Sequence, residues 1–436
     1  MLEAVVNAFK IPDLRRKLLF TIAMLVIFRI IASIPVPGVN QSELQDFIDQ
    51  NQLLSVLNLF SGAGLSTFSV VALGVYPYIT ASIIMQLMTP IIPRLNELSM
   101  EGQQGRNTIN QYTHYLTVPL AFLQAYGHAI LFTRNTGNGV QLLEGFGLFD
   151  RDTFVPSLAI LLSMTAGTML LVWMGELITE MGIGNGTSII IFGGIVASLP
   201  TTIGKLFGDS TSRDIIAMVT FIAIALVTVV GIVLINEGQR RIPVQHAKRI
   251  RGNRQYGGTS TFIPLRVNSA GMIPLIFAVS IMVFPGMIAN FLATSNRGAV
   301  QDVARWISTF FNPQSFQYNL IYFLMVVGFT YFYTMVVFQQ QKIPENLQRQ
   351  GAFIRGVRPG KQTAQYLQRV LNRITLVGAL FLGLVAILPF LAAQLTGINT
   401  LLLSATSLLI VVGVAIDTMR QLEAQLMMRN YEGFIG

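Results

Sequence analysis

Apolar positions along this sequence gather into long runs. Ten of them reach the roughly 17–25 residues that a helix needs to cross hydrocarbon. They lie near 18–34, 72–92, 112–132, 155–174, 187–203, 215–235, 269–290, 318–338, 371–391 and 398–417. The first follows Lys10, Arg15, Arg16 and Lys17 and ends at IPVP (34–37) with no small-residue cleavage site, so it reads as an uncleaved span. The pattern predicts an all-α polytopic membrane protein with ten transmembrane helices.

Composition agrees. Only 11% of residues are charged, against about 25% in soluble domains, too few to cover a globular surface of this size. A soluble one- or two-domain enzyme is excluded. The chain has no cysteine, hence no disulfide, thiolate metal site or cysteine nucleophile. His114, His128 and His246 match no ligand spacing, so neither metal nor cofactor is expected. The net charge of +9 matters through its placement. Loops on the side of the termini hold 21 Lys and Arg against 6 on the other, which puts both termini in the cytoplasm of a multi-pass protein of the cytoplasmic membrane. Two of those loops, 236–268 and 339–370, are longer and more basic than topology requires. They predict a docking surface for a cytoplasmic partner, RNA-rich or protein, besides contact with anionic lipid.

GVYPYI (74–79) in span two matches GMIPLI (271–276) in span seven. An odd five spans per half would insert the halves with opposite topology, 1–204 and 205–436, and such inverted repeats place a site at their interface. The segment at about 58–70, NLFSGAGLSTFSV, is apolar enough to enter the membrane but too short and rich in Gly and Ser to cross it. Irregular backbone at that depth survives only inside protein or in a water-filled cavity. Around Gly182-Ile191, Asn185 and the following Thr and Ser are candidate N-caps for span five.

Carboxylates, lysines and histidines are missing from the middle of the spans, where ion-coupled transport would need them. Arg29 is the one clear intramembrane charge and reads as snorkelling to the outer surface. His114 and His128 read as interfacial. The candidate interface offers aliphatic side chains at Val75, Ile79, Ile191 and Ile276, a constriction of the kind that gates by dewetting. Thr80, Gln124 and Asn268 lie on or beside spans two, three and seven. Interhelical hydrogen bonds there, of about 0.6–2 kcal/mol each, would hold a closable seam.

Several long motifs resemble the SecY family, the central subunit of protein-conducting channels. They are IPDLRRK (11–17), residues 58–87, EGQQGRNTINQYT (101–113), residues 175–197, GQRRIPVQHAKR (238–249), VNSAGMIPLIFA (267–278), GAFIRGVRPGKQT (351–363) and TSLLIVVGVAID (406–417). The resemblance implies a channel that passes unfolded preproteins across the membrane and releases apolar segments sideways into lipid. It implies a pore ring at Val75, Ile79, Thr187, Ile191, Ile276 and Ile410, with Val75 and Thr187 standing where the larger Ile is common. It implies a plug carrying Phe60, Gly62, Gly64, Leu65 and Phe68, and a lateral gate with Thr80, Gln124 and Asn268. Docking for the SecA motor ATPase and the ribosome with its nascent chain, including a 23S rRNA contact, would use Arg240, Arg241, Lys248, Arg249, Arg355 and Arg358. SecE and SecG subunits, signal peptides, preproteins and anionic lipids complete the implied partners. The rival from the residues alone is a secondary transporter built on the same inverted repeat, which would need a midplane ion or solute site. A membrane-embedded enzyme would need a nucleophile, base or metal set that the sequence lacks.

Overall fold

The computed structural model describes residues 9–36, 44, 48, 54, 58, 61–62, 64–133, 146–147, 151–208, 212–246, 249–251, 254–256, 260–292, 298–396 and 400–432. It is mostly helical. The N-terminal part runs α1 (Pro12–Ala32), α2 (Tyr76–Met88), α3 (Pro93–Met100), α4 (Gln103–Thr133), α5 (Arg151–Met181), α6 (Gly186–Gly208) and α7 (Ser212–Glu237). Four strands follow: β1 (Gln239–His246), β2 (Arg249–Arg251), β3 (Arg254–Tyr256) and β4 (Ser260–Arg266). Then come α8 (Ile273–Leu292), α9 (Gly298–Phe310), α10 (Phe316–Gln341), α11 (Ile343–Arg349), β5 (Ala352–Ile354), α12 (Lys361–Thr396) and α13 (Thr400–Glu432).

By length and composition, three described helical stretches can cross a membrane: Asp152–Met181, Phe316–Arg349 and Lys361–Leu388. Shorter apolar helices occupy Gly186–Pro200, Ile222–Glu237 and Ile273–Val283. Helix ends depart from the hydrophobic runs. α2 begins at Tyr76 rather than near 72, because Gly74 takes a φ of 59° and Pro77 favours the first helical turn. α4 starts well before its apolar run, and α13 continues past 417 to Glu432. Asn185 caps α6 as expected, its Oδ1 accepting the Ser188 N–H at 3.3 Å.

The chain forms two compact units. The first gathers residues 1–223, 279–319 and 389–436, and the second 224–278 and 320–388. In the first, α4 packs on α2, α3 and α5, and α6 packs on α5 and α13. Close approach needs glycine here: a Cβ on Gly167 of α5 would collide with the Val70 carbonyl. Leu14, Ile183 and Leu422 bury together where α1, the α5–α6 turn and α13 meet.

The second unit holds what the hydrophobic runs did not foretell. β1 pairs antiparallel with β4 from Gln239↔Arg266 to Gln245↔Ser260, and with β5 through Val244↔Ile354 to His246↔Ala352. The loops 236–268 and 339–370 are therefore joined in one three-stranded sheet, ordered β4-β1-β5. Ile242, Val244 and Leu265 on one face bury against Leu347, Ala352, Ile354, Leu367 and Val370. Pro243 sits where β1 has only β4 beside it, and Pro264 lies on an edge strand, as proline in a sheet requires.

Replacing Gly167 with Ala should cost about 1–3 kcal/mol of overpacking and lower the melting temperature of the purified protein. Gly127→Ala, at a helical position with open space around it, should leave it unchanged or slightly raised. Equal melting for the two variants would contradict the close packing at Val70.

Candidate functional site

The described residues between 61 and 75 form turns, not a helix, and several of their backbone groups are met from within the protein. Pro35 and Ser69 form an antiparallel bridge. The Val36 N–H donates to the Phe68 carbonyl at 2.9 Å and the Val70 N–H to the Ile34 carbonyl at 3.3 Å. The Thr67 hydroxyl donates to the Ala32 carbonyl at 2.9 Å. The chain leaving α1 thus straps the turn segment in place.

Gly62 has a φ of +66°, and a Cβ there would come within 2.8 Å of the Gly194 Cα and 2.7 Å of the Phe28 ring. Only glycine fits. Leu65 and Phe68 are fully buried, Phe68 at a φ of 45° with its ring edge-on to Phe132, centroids 5.3 Å apart. Left-handed backbone at a bulky residue is strained, and burial of its ring holds it there. Gly64 lies inside the same turn, its carbonyl accepting the Ser69 N–H at 2.8 Å. Phe60 lies outside the described residues.

Arg29 does not simply snorkel. Its guanidinium donates to the Gly62 carbonyl at 2.6 Å, a charge-assisted bond into the turn segment. His128 is buried in α4 with its ring 6.4 Å from that of Phe132. His114 is half-buried, its Nε2 2.9 Å from Glu176.

The aliphatic candidates are buried. Val75 immediately precedes α2 and Ile79 lies on its first turns; Ile191 is on α6, Ile276 on α8 and Ile410 on α13. Thr187, in the first turn of α6, is half-buried. Ile276 belongs to the second unit and the other five to the first. The two matching motifs share a local geometry. Gly74 and Gly271 have φ values of 59° and 64°, and a helix begins two residues after each. The Ile79 N–H then donates to the Val75 carbonyl at 3.1 Å, as Ile276 does to Met272 at 3.4 Å.

The polar trio behaves differently from a simple side-chain seam. Thr80 donates back to the Tyr76 carbonyl of its own helix at 3.0 Å. Gln124 is buried, and no hydrogen bond reaches its amide from the described residues. Asn268 donates to Asn236 Oδ1 at 2.8 Å and to the Gly271 carbonyl at 3.1 Å, tying the end of α7 to the start of the second motif. The bond that does cross from α2 to α8 was not foreseen: the Tyr76 hydroxyl donates to the Ser280 carbonyl at 2.6 Å. Its acceptor is backbone, which no side-chain motif announces.

Arg240 and Arg241 are exposed on β1, with the Arg241 guanidinium 4.9 Å above the Phe262 ring of β4. Arg355, directly after β5, and Arg358, in the turn before α12, are also exposed. Arg249 lies in β2, and Lys248 falls outside the described residues. Basic side chains of the second loop therefore follow directly on the strand that pairs with β1. No cluster of His, Asp or Glu able to hold a metal occurs among the described residues.

The sequence profile of the SecY family matches residues 69–419. The protein translocase subunit SecY of Corynebacterium glutamicum is 44% identical over 451 residues, covering 100% of both chains. That of Halalkalibacterium halodurans is 42% identical over 444 residues, again covering 100% of both. Among solved structures, a protein-conducting channel aligns with a TM-score of 0.61 at 17% identity over 96% of each chain. A SecY protein whose plug domain stabilises the closed state of its channel aligns with a TM-score of 0.61 at 18% identity, also over 96% of each. Sec61 from a canine ribosome–channel complex gives 0.60 at 17% identity over 96% of each.

Arg29→Met should loosen the turn segment. Losing a charge-assisted bond of about 1.5 kcal/mol, the low end because Arg29 is exposed, should speed deuterium uptake at the Gly64 and Ser69 amides roughly tenfold. Unchanged uptake would show that the strap alone holds the segment.

Proposed function

The chain belongs to the SecY family, and we propose that it is the channel subunit through which unfolded preproteins cross the cytoplasmic membrane and apolar segments pass sideways into lipid. The observation that carries this reading is full-length identity of 44% to translocase subunits. The strapped, buried turn segment supports it. The secondary transporter, the rival raised by the residues alone, finds no support among these relatives.

In this reading ten spans form two inverted five-helix halves, 1–204 and 205–436, with both termini in the cytoplasm. The shared left-handed glycine and helix start of the two motifs support the repeat. Val75, Ile79, Thr187, Ile191, Ile276 and Ile410 form the waist, where apolar walls too narrow for stable water block ions. The segment around Gly62, Gly64, Leu65 and Phe68 is the plug, anchored by Arg29. In this reading a partner drives transport. Arg240, Arg241, Arg249, Arg355 and Arg358, with Lys248, receive the SecA motor or the ribosome and its 23S rRNA. The pairing of β1, which carries Arg240 and Arg241, with β5, which Arg355 directly follows, supports a single docking surface for both loops. SecE and SecG complete the complex, and signal peptides open the gate between spans two and seven.

Sideways release needs no fuel. A segment with about ten Leu-class residues gains roughly 3–6 kcal/mol on reaching hydrocarbon, while each interhelical hydrogen bond holding the seam contributes about 0.6–2 kcal/mol. The Tyr76–Ser280 bond is one such latch. Waist and seam therefore resist through different forces, dewetting and hydrogen bonding.

Replacing Ile79 and Ile276 together with Gly should wet the waist and raise resting ion conductance in planar bilayers. Native conductance from the double variant would remove these residues from the seal.

Tyr76→Phe keeps the ring and deletes the latch. The number of leucines at which a test segment integrates should fall by about one to seven, the ratio of the bond to the gain per residue. Superimposable integration curves would place the seam elsewhere.

A further inference from the structure

Between α8 and α10 lies a helix that the channel reading does not use. On α9, Val303, Ala304, Trp306, Ile307 and Phe310 fall on one side at spacings of three and four, while Gln301, Asp302, Arg305, Ser308 and Thr309 fall on the other. The apolar side is itself divided. Ala304 is buried and Ile307 half-buried, but Val303 is 57% and Trp306 66% exposed. Trp306 stacks on Phe310, ring centroids 5.4 Å apart and planes 21° from parallel. Half of the apolar face therefore packs inward, and the other half is an aromatic strip with no protein over it among the described residues.

We infer that this strip seats α9 in the headgroup–acyl boundary of the outer leaflet, so that its partner is the lipid interface itself. Four observations argue for lipid as the occupant. First, α9 is tethered close to the end of an apolar helix. Only five residues separate Leu292 of α8 from Gly298, a reach of at most about 22 Å over six Cα steps. Second, the connection to α10 is tight. Ser315 N–H donates to the Asn312 carbonyl at 2.9 Å, and the Asn319 amide clamps the Pro313 carbonyl at 2.8 Å. Third, the adjoining helices expose apolar side chains of the same kind, Ile288 on α8 and Phe316 on α10. Fourth, the chemistry fits an interface. Tryptophan sits at headgroup level with its ring in apolar surroundings and its N–H wet. Asp302 and Arg305 oppose it on the polar side, where water is retained, and an amphipathic helix of this kind buries its apolar face about 5–10 Å deep.

The inference rests on the chain spanning a membrane, but not on polypeptide transport. Because the chain has no cysteine, Val303→Cys and Ser308→Cys each introduce one thiol, on opposite sides of α9. Each full-length variant, assembled with its partner subunits in phospholipid vesicles, takes a nitroxide label. Collision with oxygen, which concentrates in lipid, is then compared with collision with a water-soluble nickel chelate. The oxygen-to-nickel ratio at 303 should exceed that at 308 several-fold, with a mobile line shape at both. Equal ratios would mean that α9 stands in water. An immobilised label at 303 shielded from both reagents would mean that another protein covers the strip. Either result overturns the inference. Preprotein transport by the same vesicles reports separately on the channel reading.

Discussion

Backbone polar groups at membrane depth must find partners inside the protein, because hydrocarbon supplies none. Helices meet this requirement by themselves. The described residues between 61 and 75 do not form one, and their neighbours supply the partners instead. The chain leaving α1 supplies a short bridge at Pro35 and Ser69, the Ala32 carbonyl receives Thr67, and Arg29 reaches the Gly62 carbonyl. Gly62 against Gly194 and Gly167 against Val70 let this irregular backbone approach its neighbours without side chains between them.

The same logic reaches the start of α2 and the three-stranded sheet. The left-handed turn at Gly74 ends the strapped segment and starts α2, and that start places Tyr76 within reach of the Ser280 carbonyl. Gly271 performs the corresponding turn before α8, where Asn268 ties the turn to Asn236. β1 meets its partners in β4 and β5, which brings Arg240 and Arg241 to the same sheet that Arg355 directly follows, more than a hundred residues along the chain. In this account, closure is a matter of apolar contact and a few hydrogen bonds, and force comes from whatever docks on the sheet.

Apolar run length made much of this legible. So did the repeated Gly-x-x-Pro-x-Ile, and Asn185 acts as the cap that its position announced. Elements built from long-range pairing were not legible. The bridge to Ser69 and the Tyr76 bond use backbone carbonyls, which have no residue identity. β1 alternates Ile242 and Val244 with exposed neighbours, but its arginines and Pro243 mask so short a strand, and β5 is only three residues long. Arg29 was legible as an anomaly and not as an anchor, because its acceptor lies 33 positions away. His128 read as a helix-end residue because burial by α4's neighbours leaves no local trace.

The central claim is that polypeptide passes the aliphatic waist of this chain. A photoreactive amino acid placed at Ile79 or at Ile276, in channels holding a preprotein stalled midway, tests it most directly. The account predicts adducts with the stalled chain from both positions, and none from Leu226, which is exposed on α7. Adducts absent at both waist positions while transport proceeds would contradict it.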